Sequence, residues 1–256
     1  MRAGTGPAPE GCVLAAEGDE PAVLVREALR AYGLARWRSM DEARFVDLAG
    51  RLGEVGLRTD LVIDPVRAEQ ERRARSAAEA RPVVYAPAEL AFHTDRPTVD
   101  VIAWYCVEQD AEDGAFLLID TADIAEHFSA EELAGFGRVE LEYFERNRET
   151  GREETCRAPL VASGPRGRVL CYAPWLVGED LDGEPARLLA RFVAYLERQR
   201  ETAVVRVRLQ PGEALFVDNH RLLHARGNLS PASRRHIVRL YITCPPCPAD
   251  PGAGPA

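Results

Sequence analysis

The chain has little that would tie it to a membrane, a nucleic acid or an oxidising compartment. Nowhere in its 256 residues does an apolar window approach the roughly 18 to 20 residues of a bilayer span. The opening stretch MRAGTGPAPEGCVLAAEGDE also lacks the continuous apolar core of a signal peptide. Cytoplasmic residence is therefore the expectation, with no membrane partner. A basic excess is missing too. The net charge of -9 argues against neutralising a phosphate backbone, so no nucleic-acid partner is expected. That balance still permits a small anionic substrate held by a few buried arginines. The six cysteines are scattered except for Cys244-Pro-Pro-Cys247, which reads as a thiol pair near the tail rather than a structural zinc site. There is no internal repeat, and histidine is scarce.

The remaining composition, 46% apolar and 29% charged, is that of an ordinary globular protein with enough chain for a sizeable core. A single domain over 22–243 is expected, as monomer or homodimer, with flexible tails at 1–21 and 244–256. Periodicity predicts a helix from Val23 to Tyr32 ending at Gly33, and a strand from Leu34 to Trp37. A second helix from Asp41 to Leu52 would be capped by Ser39 or Asp41. The Arg- and Glu-rich run Ala68 to Ala80 reads as a solvated helix or connection. From Arg81 onward short apolar runs alternate with turn residues. Strands are predicted at Pro82–Tyr85, Val99–Val107, Ala115–Ile119, Val139–Phe144, Val169–Tyr172, Val204–Leu209, Ala214–Val217 and Ile237–Ile242. Helices are predicted at Thr121–Leu133 and Glu184–Arg200. The spacing suits a folded-over double sheet.

His93-x-Asp95 with the distant His224 is the most informative constellation. In extended chain, residues two apart share a face, so His93 and Asp95 can approach one ion while Thr94 points away. His224, placed just beyond the strand ending at Val217, would close the site. Two imidazoles and a carboxylate suit ferrous iron and leave positions open for reactants. An isolated H-x-D is weak evidence, and His220 with His224 could instead form a helical metal pair. The stretch around Asn219-His220-Arg221 has no helical pattern, so His220 reads as structural. His127 reads as packing or surface, and His236 as facing outward. Arg239 interrupts an apolar strand, where a guanidinium needs a partner. It can grip a carboxylate, with an internal ion pair as the alternative. Arg226 reads as touching the metal loop or substrate, and Arg234 and Arg235 as rim charge.

With these residues in view, the sequence resembles the Fe(II)- and 2-oxoglutarate-dependent oxygenases of the taurine dioxygenase and clavaminate synthase-like family. Four stretches carry the resemblance: Gly33-Leu34-Ala35 with the helix ending Leu52-Gly53, the run Leu90 to Asp95, the run Pro211 to Arg226, and Arg235 to Tyr241. It implies a mainly β fold with α, a double-stranded β-helix or distorted jelly roll with flanking helices. It further implies His93, Asp95 and His224 as ligands of Fe(II), Arg239 on the distal carboxylate of 2-oxoglutarate, and O2 as co-substrate. Phe116 falls where the family often has a carboxylate-binding threonine, so another hydroxyl is needed or arginine acts alone. The implied reaction releases succinate and CO2 and hydroxylates an unactivated carbon. Asp95 argues against halogenation, whereas desaturation, cyclisation and epimerisation share the same first step. The expected substrate is a small carboxylic acid, an amino acid or derivative, free or carrier-tethered. Candidate contacts are Tyr85, Tyr172, Trp175, Arg221 and Arg226. A non-catalytic jelly-roll binding module and a zinc hydrolase are the competing readings.

Overall fold

Short elements with clear local causes open the fold. The computed structural model describes residues 13–14, 20–74, 82–146, 153–164, 167–176 and 181–245. Val13–Leu14 (β1) pairs in parallel with Leu34–Trp37 (β2). Between them runs Pro21–Tyr32 (α1), which starts on a proline whose missing N–H would have had no helical partner. It ends at Gly33, in the left-handed region with φ 73°. Glu42–Leu52 (α2) is capped by Asp41, whose carboxylate accepts the Arg44 N–H at 2.8 Å. The chain continues through Glu54–Val62 (β3), Pro65–Ala74 (α3), Leu90–His93 (β4), Val101–Glu108 (β5) and Phe116–Asp120 (β6). Ile124–His127 (α4) and Ala130–Phe136 (α5) follow, then Glu140–Arg146 (β7), Glu153–Pro159 (β8), Val161–Gly164 (β9) and Gly167–Leu170 (β10). A 3-10 turn at Pro174–Leu176 precedes Gly183–Thr202 (α6). Val205–Val207 (β11), Ala214–Asp218 (β12), Leu222–Arg226 (β13) and His236–Thr243 (β14) complete the order.

The strands form a six-stranded sheet in the order β1-β2-β12-β5-β14-β3, a four-stranded sheet in the order β11-β6-β13-β4 and the two-stranded pairs β7-β8 and β9-β10, antiparallel apart from β1. Strand alternation sorts their side chains into layers. In β5, Val101, Ala103 and Tyr105 pack with α1 and α2, while Ile102, Trp104 and Cys106 face the smaller sheet. β12 repeats the division, with Ala214 and Phe216 outside and Leu215 and Val217 between the sheets. On the far side of the smaller sheet, Ile119 and Leu223 pack with Phe136, Phe192 and Tyr195 of α5 and α6. The central strands β5 and β12 are thus covered on both faces, which is why they read as nearly unbroken apolar runs.

Several expected boundaries change. Pro82–Tyr85 is a turn rather than a strand; nearby carbonyls at Val84, Ala86 and Ala88 accept from an arginine side chain. The predicted Thr121–Leu133 helix breaks in two because Ser129 starts a new helix with a capping box to Glu132. β3, β4, β8 and β9 were not foreseen as strands, nor was β13, so His224, beyond β12 as expected, lies within a strand of its own. Of the tail expected to be free at 1–21, Val13–Leu14 is paired in the sheet and Pro21 begins α1. Residues 75–80 of the predicted charged helix, Cys247 and the rest of the final stretch lie outside the described residues.

Candidate active site

The two imidazoles meet because their strands are neighbours. His224 of β13 is the direct cross-strand partner of His93 at the end of β4, and directly opposed residues on antiparallel strands project to the same side. Their ring centroids are 4.2 Å apart, inside the space between the sheets. The β13–β4 register then shifts between His224 and Arg226, an irregularity of the kind that re-aims side chains beside a site. Beyond His93 the chain leaves the sheet. Thr94 turns away, exchanging hydrogen bonds with the Tyr172 backbone at 2.7 and 2.9 Å, and Asp95 swings back towards the rings. Its Oδ1 lies 3.9 Å from His93 Nε2 and its Oδ2 lies 3.6 Å from His224 Nε2. One donor atom from each residue falls within 4.8 Å of the others.

The charge states fit a cation. His93 Nδ1 donates to the Ala91 carbonyl at 2.7 Å, so in the neutral ring Nε2 turns a lone pair towards Asp95. Burial pushes both imidazoles towards the neutral form, His224 down to about 3. Burial alone would raise the Asp95 carboxyl, but the Arg239 guanidinium beside it and a hydrogen bond from the Tyr241 hydroxyl hold it below the usual carboxylate range. Arg239 Nη1 stands 3.3 Å from Asp95 Oδ2. Neutral nitrogen donors thus face an ionised carboxylate with no proton to share. Adjacent donors on a six-coordinate ion with bonds of about 2.1 Å stand about 3 Å apart, so a contraction of about 1 to 2 Å would complete the site.

This constellation forms one wall of a cavity of about 340 Å³ between the sheets, within the usual size range of small-ligand sites. Trp175 lines it with its ring centroid 4.7 Å from that of His93. Tyr85 lines it from the turn after α3 and is covered by Arg67. Arg239 and Arg226 reach it as well. Arg226 is occupied, however, donating to the carbonyls of Val84, Ala86 and Ala88 at 3.3, 2.8 and 2.6 Å. Burial pulls its pKa down to about 10. Two expected contacts do not line the cavity. Arg221 forms a two-pronged pair with Asp120 at 2.8 and 2.6 Å and caps the last carbonyls of α1. The Tyr172 ring packs edge-on against Phe192 of α6 in a separate apolar recess.

Three further residues emerge from the structure. Arg234 is rim charge as expected, 81% exposed and paired with Glu108. Its neighbour Arg235 is 2% exposed, lies over the Phe116 ring and lines the cavity. Its Nε has no acceptor, and among the described residues no carboxylate pairs with it. Burial, then the nearby Arg226 charge, pulls its pKa down to about 9. Strand alternation carried the signal, since Arg235, Ile237, Arg239 and Tyr241 recur at every second position. Thr59, opposite Arg239 on β3, is 9% exposed, lines the cavity and leaves its hydroxyl without a partner. Asn219, buried in the turn between β12 and β13, donates to or accepts from the segment carrying Asp95.

Two histidines and one aspartate opening on a cavity in a double sheet define a mononuclear metal-centre class found in non-haem iron oxygenases. The chain belongs to the taurine catabolism dioxygenase TauD, TfdA family, whose model matches residues 5–241. Gamma-butyrobetaine dioxygenase of Pseudomonas sp. (strain AK-1) is 31% identical over 183 aligned positions, in a match that covers 66% of this chain and 47% of that one. The chain therefore spans about half the length of this curated relative. Among solved structures, asparagine oxygenase in complex with Fe(II), 2S,3S-3-hydroxyasparagine and succinate aligns with TM-score 0.61 at 19% identity, over 87% of this chain and 80% of that one. A putative alpha-ketoglutarate-dependent taurine dioxygenase from Burkholderia xenovorans aligns with TM-score 0.63 at 14% identity, over 93% and 88%. The non-heme iron oxygenase OrfP, solved with Fe, succinate and (3S)-hydroxy-L-Arg, aligns with TM-score 0.62 at 15% identity, over 87% and 79%. At these identities the likeness is one of fold.

Proposed function

We propose that residues 22–243 form one catalytic unit, a distorted jelly roll, and act as an Fe(II)- and 2-oxoglutarate-dependent dioxygenase. The substrate class is a small carboxylic acid, an amino acid or derivative, hydroxylated at an unactivated carbon. The observation that carries this reading is the pairing of a three-donor centre with an unpartnered buried guanidinium in one cavity. Family membership and the amino-acid-like ligands named for asparagine oxygenase and OrfP support it.

In this reading His93, Asp95 and His224 hold the iron and leave positions on its cavity side open. Bound iron and 2-oxoglutarate supply oxygen activation, with succinate and CO2 as co-products. The work of the chain is to bind, orient and shield. Arg235, rather than Arg239 as the sequence suggested, takes the distal carboxylate of 2-oxoglutarate, because among the described cavity residues Arg239 is paired with Asp95 and Arg226 with three carbonyls, which leaves the Arg235 guanidinium for a ligand. It does so above Phe116, without help from a hydroxyl at that position. Arg239 stays with Asp95, fixing the carboxylate in its ionised form. Trp175 covers the His93 ring and limits water there, and Tyr85 with the free Thr59 hydroxyl meets the substrate.

The test is anaerobic addition of Fe(II) and 2-oxoglutarate, which should give the visible charge-transfer band of keto-acid chelation. That band should vanish in His93→Ala and His224→Ala with folding retained; persistence in both would refute the ligand set. A screen of small carboxylic acids for succinate release, with product mass measured alongside, then identifies the substrate and separates hydroxylation from desaturation.

A further inference from the structure

Asp95 is the one member of the candidate centre whose place no strand sets. β4 ends at His93, and residues 94–100 run as irregular chain until β5 begins at Val101. The bond to its backbone comes from the turn that leads into the His224 strand. Asn219, 0% exposed, accepts the Asp95 N–H on Oδ1 at 2.8 Å. Its Nδ2 donates to the Arg96 carbonyl at 3.1 Å and to the Val99 carbonyl at 2.9 Å. Its own backbone N–H donates to the Asp100 carbonyl at 3.0 Å. The side-chain amide has one oxygen and two N–H groups, and all three are spent on this loop. His220 adds a bond from Nε2 to the Pro97 carbonyl at 2.9 Å, farther along the same loop.

We propose that Asn219 is a positioning residue for the metal centre. It fastens the Asp95 loop to the turn entering β13, so that carboxylate and distal imidazole keep their spacing as one body. The inference rests on the metal-centre reading above and concerns a residue that touches neither metal nor substrate. Its side chain has to be an amide. An aspartate of the same shape would turn acceptor oxygens on the Arg96 and Val99 carbonyls, and a serine would not span the loop. A purely structural asparagine, by contrast, would support the fold without influencing how well the folded protein binds metal.

These roles separate in the full chain, purified without metal, using Co(II) alone as the spectroscopic probe. Thermal unfolding of the apoprotein and Co(II) affinity by visible absorption would be measured for wild type, Asn219→Asp and Asn219→Ser. Arg221→Lys serves as a control on the same turn, because its partner Asp120 lies on β6, away from the Asp95 loop. Loosening the support of a metal ligand typically costs about 10–100-fold in affinity. That loss is expected in Asn219→Asp with an altered Co(II) spectrum, and a smaller loss in Asn219→Ser. Arg221→Lys should lower the unfolding temperature and leave affinity alone. Folded Asn219 variants with wild-type affinity and spectrum would overturn the proposal. So would failure of both variants to fold, which would give Asn219 a role in the fold only. A wild-type chain that binds no Co(II) would instead refute the metal-centre reading itself.

Discussion

Arg239 in β14 and Arg235, the residue just before that strand, stand four positions apart and both reach the cavity, yet their surroundings give them different work. Arg239 is committed to Asp95, whereas Arg235 is buried over Phe116 without an ion-pair partner. A charged hydrogen-bonding group contributes about 1.5–3 kcal/mol to what it binds, or roughly 10–150-fold. Arg235→Ala is therefore expected to weaken 2-oxoglutarate binding by that order, more than Arg239→Ala, with the Fe(II) affinity of Arg235→Ala kept. Calorimetric titration of the two variants checks the order, and a larger loss at Arg239 would restore the assignment made from sequence. A second consequence concerns stability. An uncompensated buried charge weakens the fold, and apolar replacement of buried ionic groups often stabilises by about 1–4 kcal/mol. Arg235→Met should raise the unfolding temperature of the apoprotein while weakening cofactor binding to the same extent as Arg235→Ala; a fall would make the arginine structural. Residue type alone could not have announced this. The chain has no lysine, so every guanidinium-or-ammonium position is arginine, and only its alternation with Ile237 and Arg239 marked Arg235 as inward.

At the scale of elements, the strands that carry the site were the hardest to read. β13 is a five-residue run whose inward positions are Leu222, His224 and Arg226, so polarity hides the alternation. β3 is half-exposed along most of its length and contains Gly56, which weakens its strand signal, yet it places Thr59 opposite Arg239. Conversely Pro82–Tyr85 is apolar enough to suggest a strand but spends its backbone on tertiary bonds. α1 and α2 were legible because their caps, Gly33 and Asp41, are local. The 82–88 turn gives this scale its prediction. Arg226 alone receives three of its carbonyls on the guanidinium, and leaving buried acceptors unmet costs about 1–3 kcal/mol each. Arg226→Met should lower stability by at least about that amount on denaturant titration. Because Tyr85 rides on the same turn, KM for the substrate should rise while the Fe(II)–2-oxoglutarate band stays. Wild-type KM in a destabilised variant would limit Arg226 to the fold.

For the molecule as a whole, the sequence conveyed a folded double sheet interrupted by helices, because alternation and helical stripes are short-range signals, and only the family resemblance implied that the helices lie outside. It could not convey the order β1-β2-β12-β5-β14-β3, which depends on pairings between strands far apart in the chain. That order has a thermodynamic consequence. The three donors come from β4, the loop after it and β13, whose mutual position is held by packing and pairing, and the unfolded chain has no such site. A divalent ion should therefore stabilise the native state by mass action, by about 2.7 kcal/mol when present at 100 times its Kd. For a chain of this size that corresponds to a rise of roughly 5–10 °C in unfolding temperature. His224→Ala should abolish the rise. It should cost the apoprotein less than an ordinary core truncation, because it also removes a buried ring whose Nδ1 has no partner and whose Nε2 faces a carboxylate. Differential scanning calorimetry with and without Co(II) reads both quantities. An equal rise in wild type and variant would mean that the ion binds elsewhere, and the three donors would then be no more than neighbours.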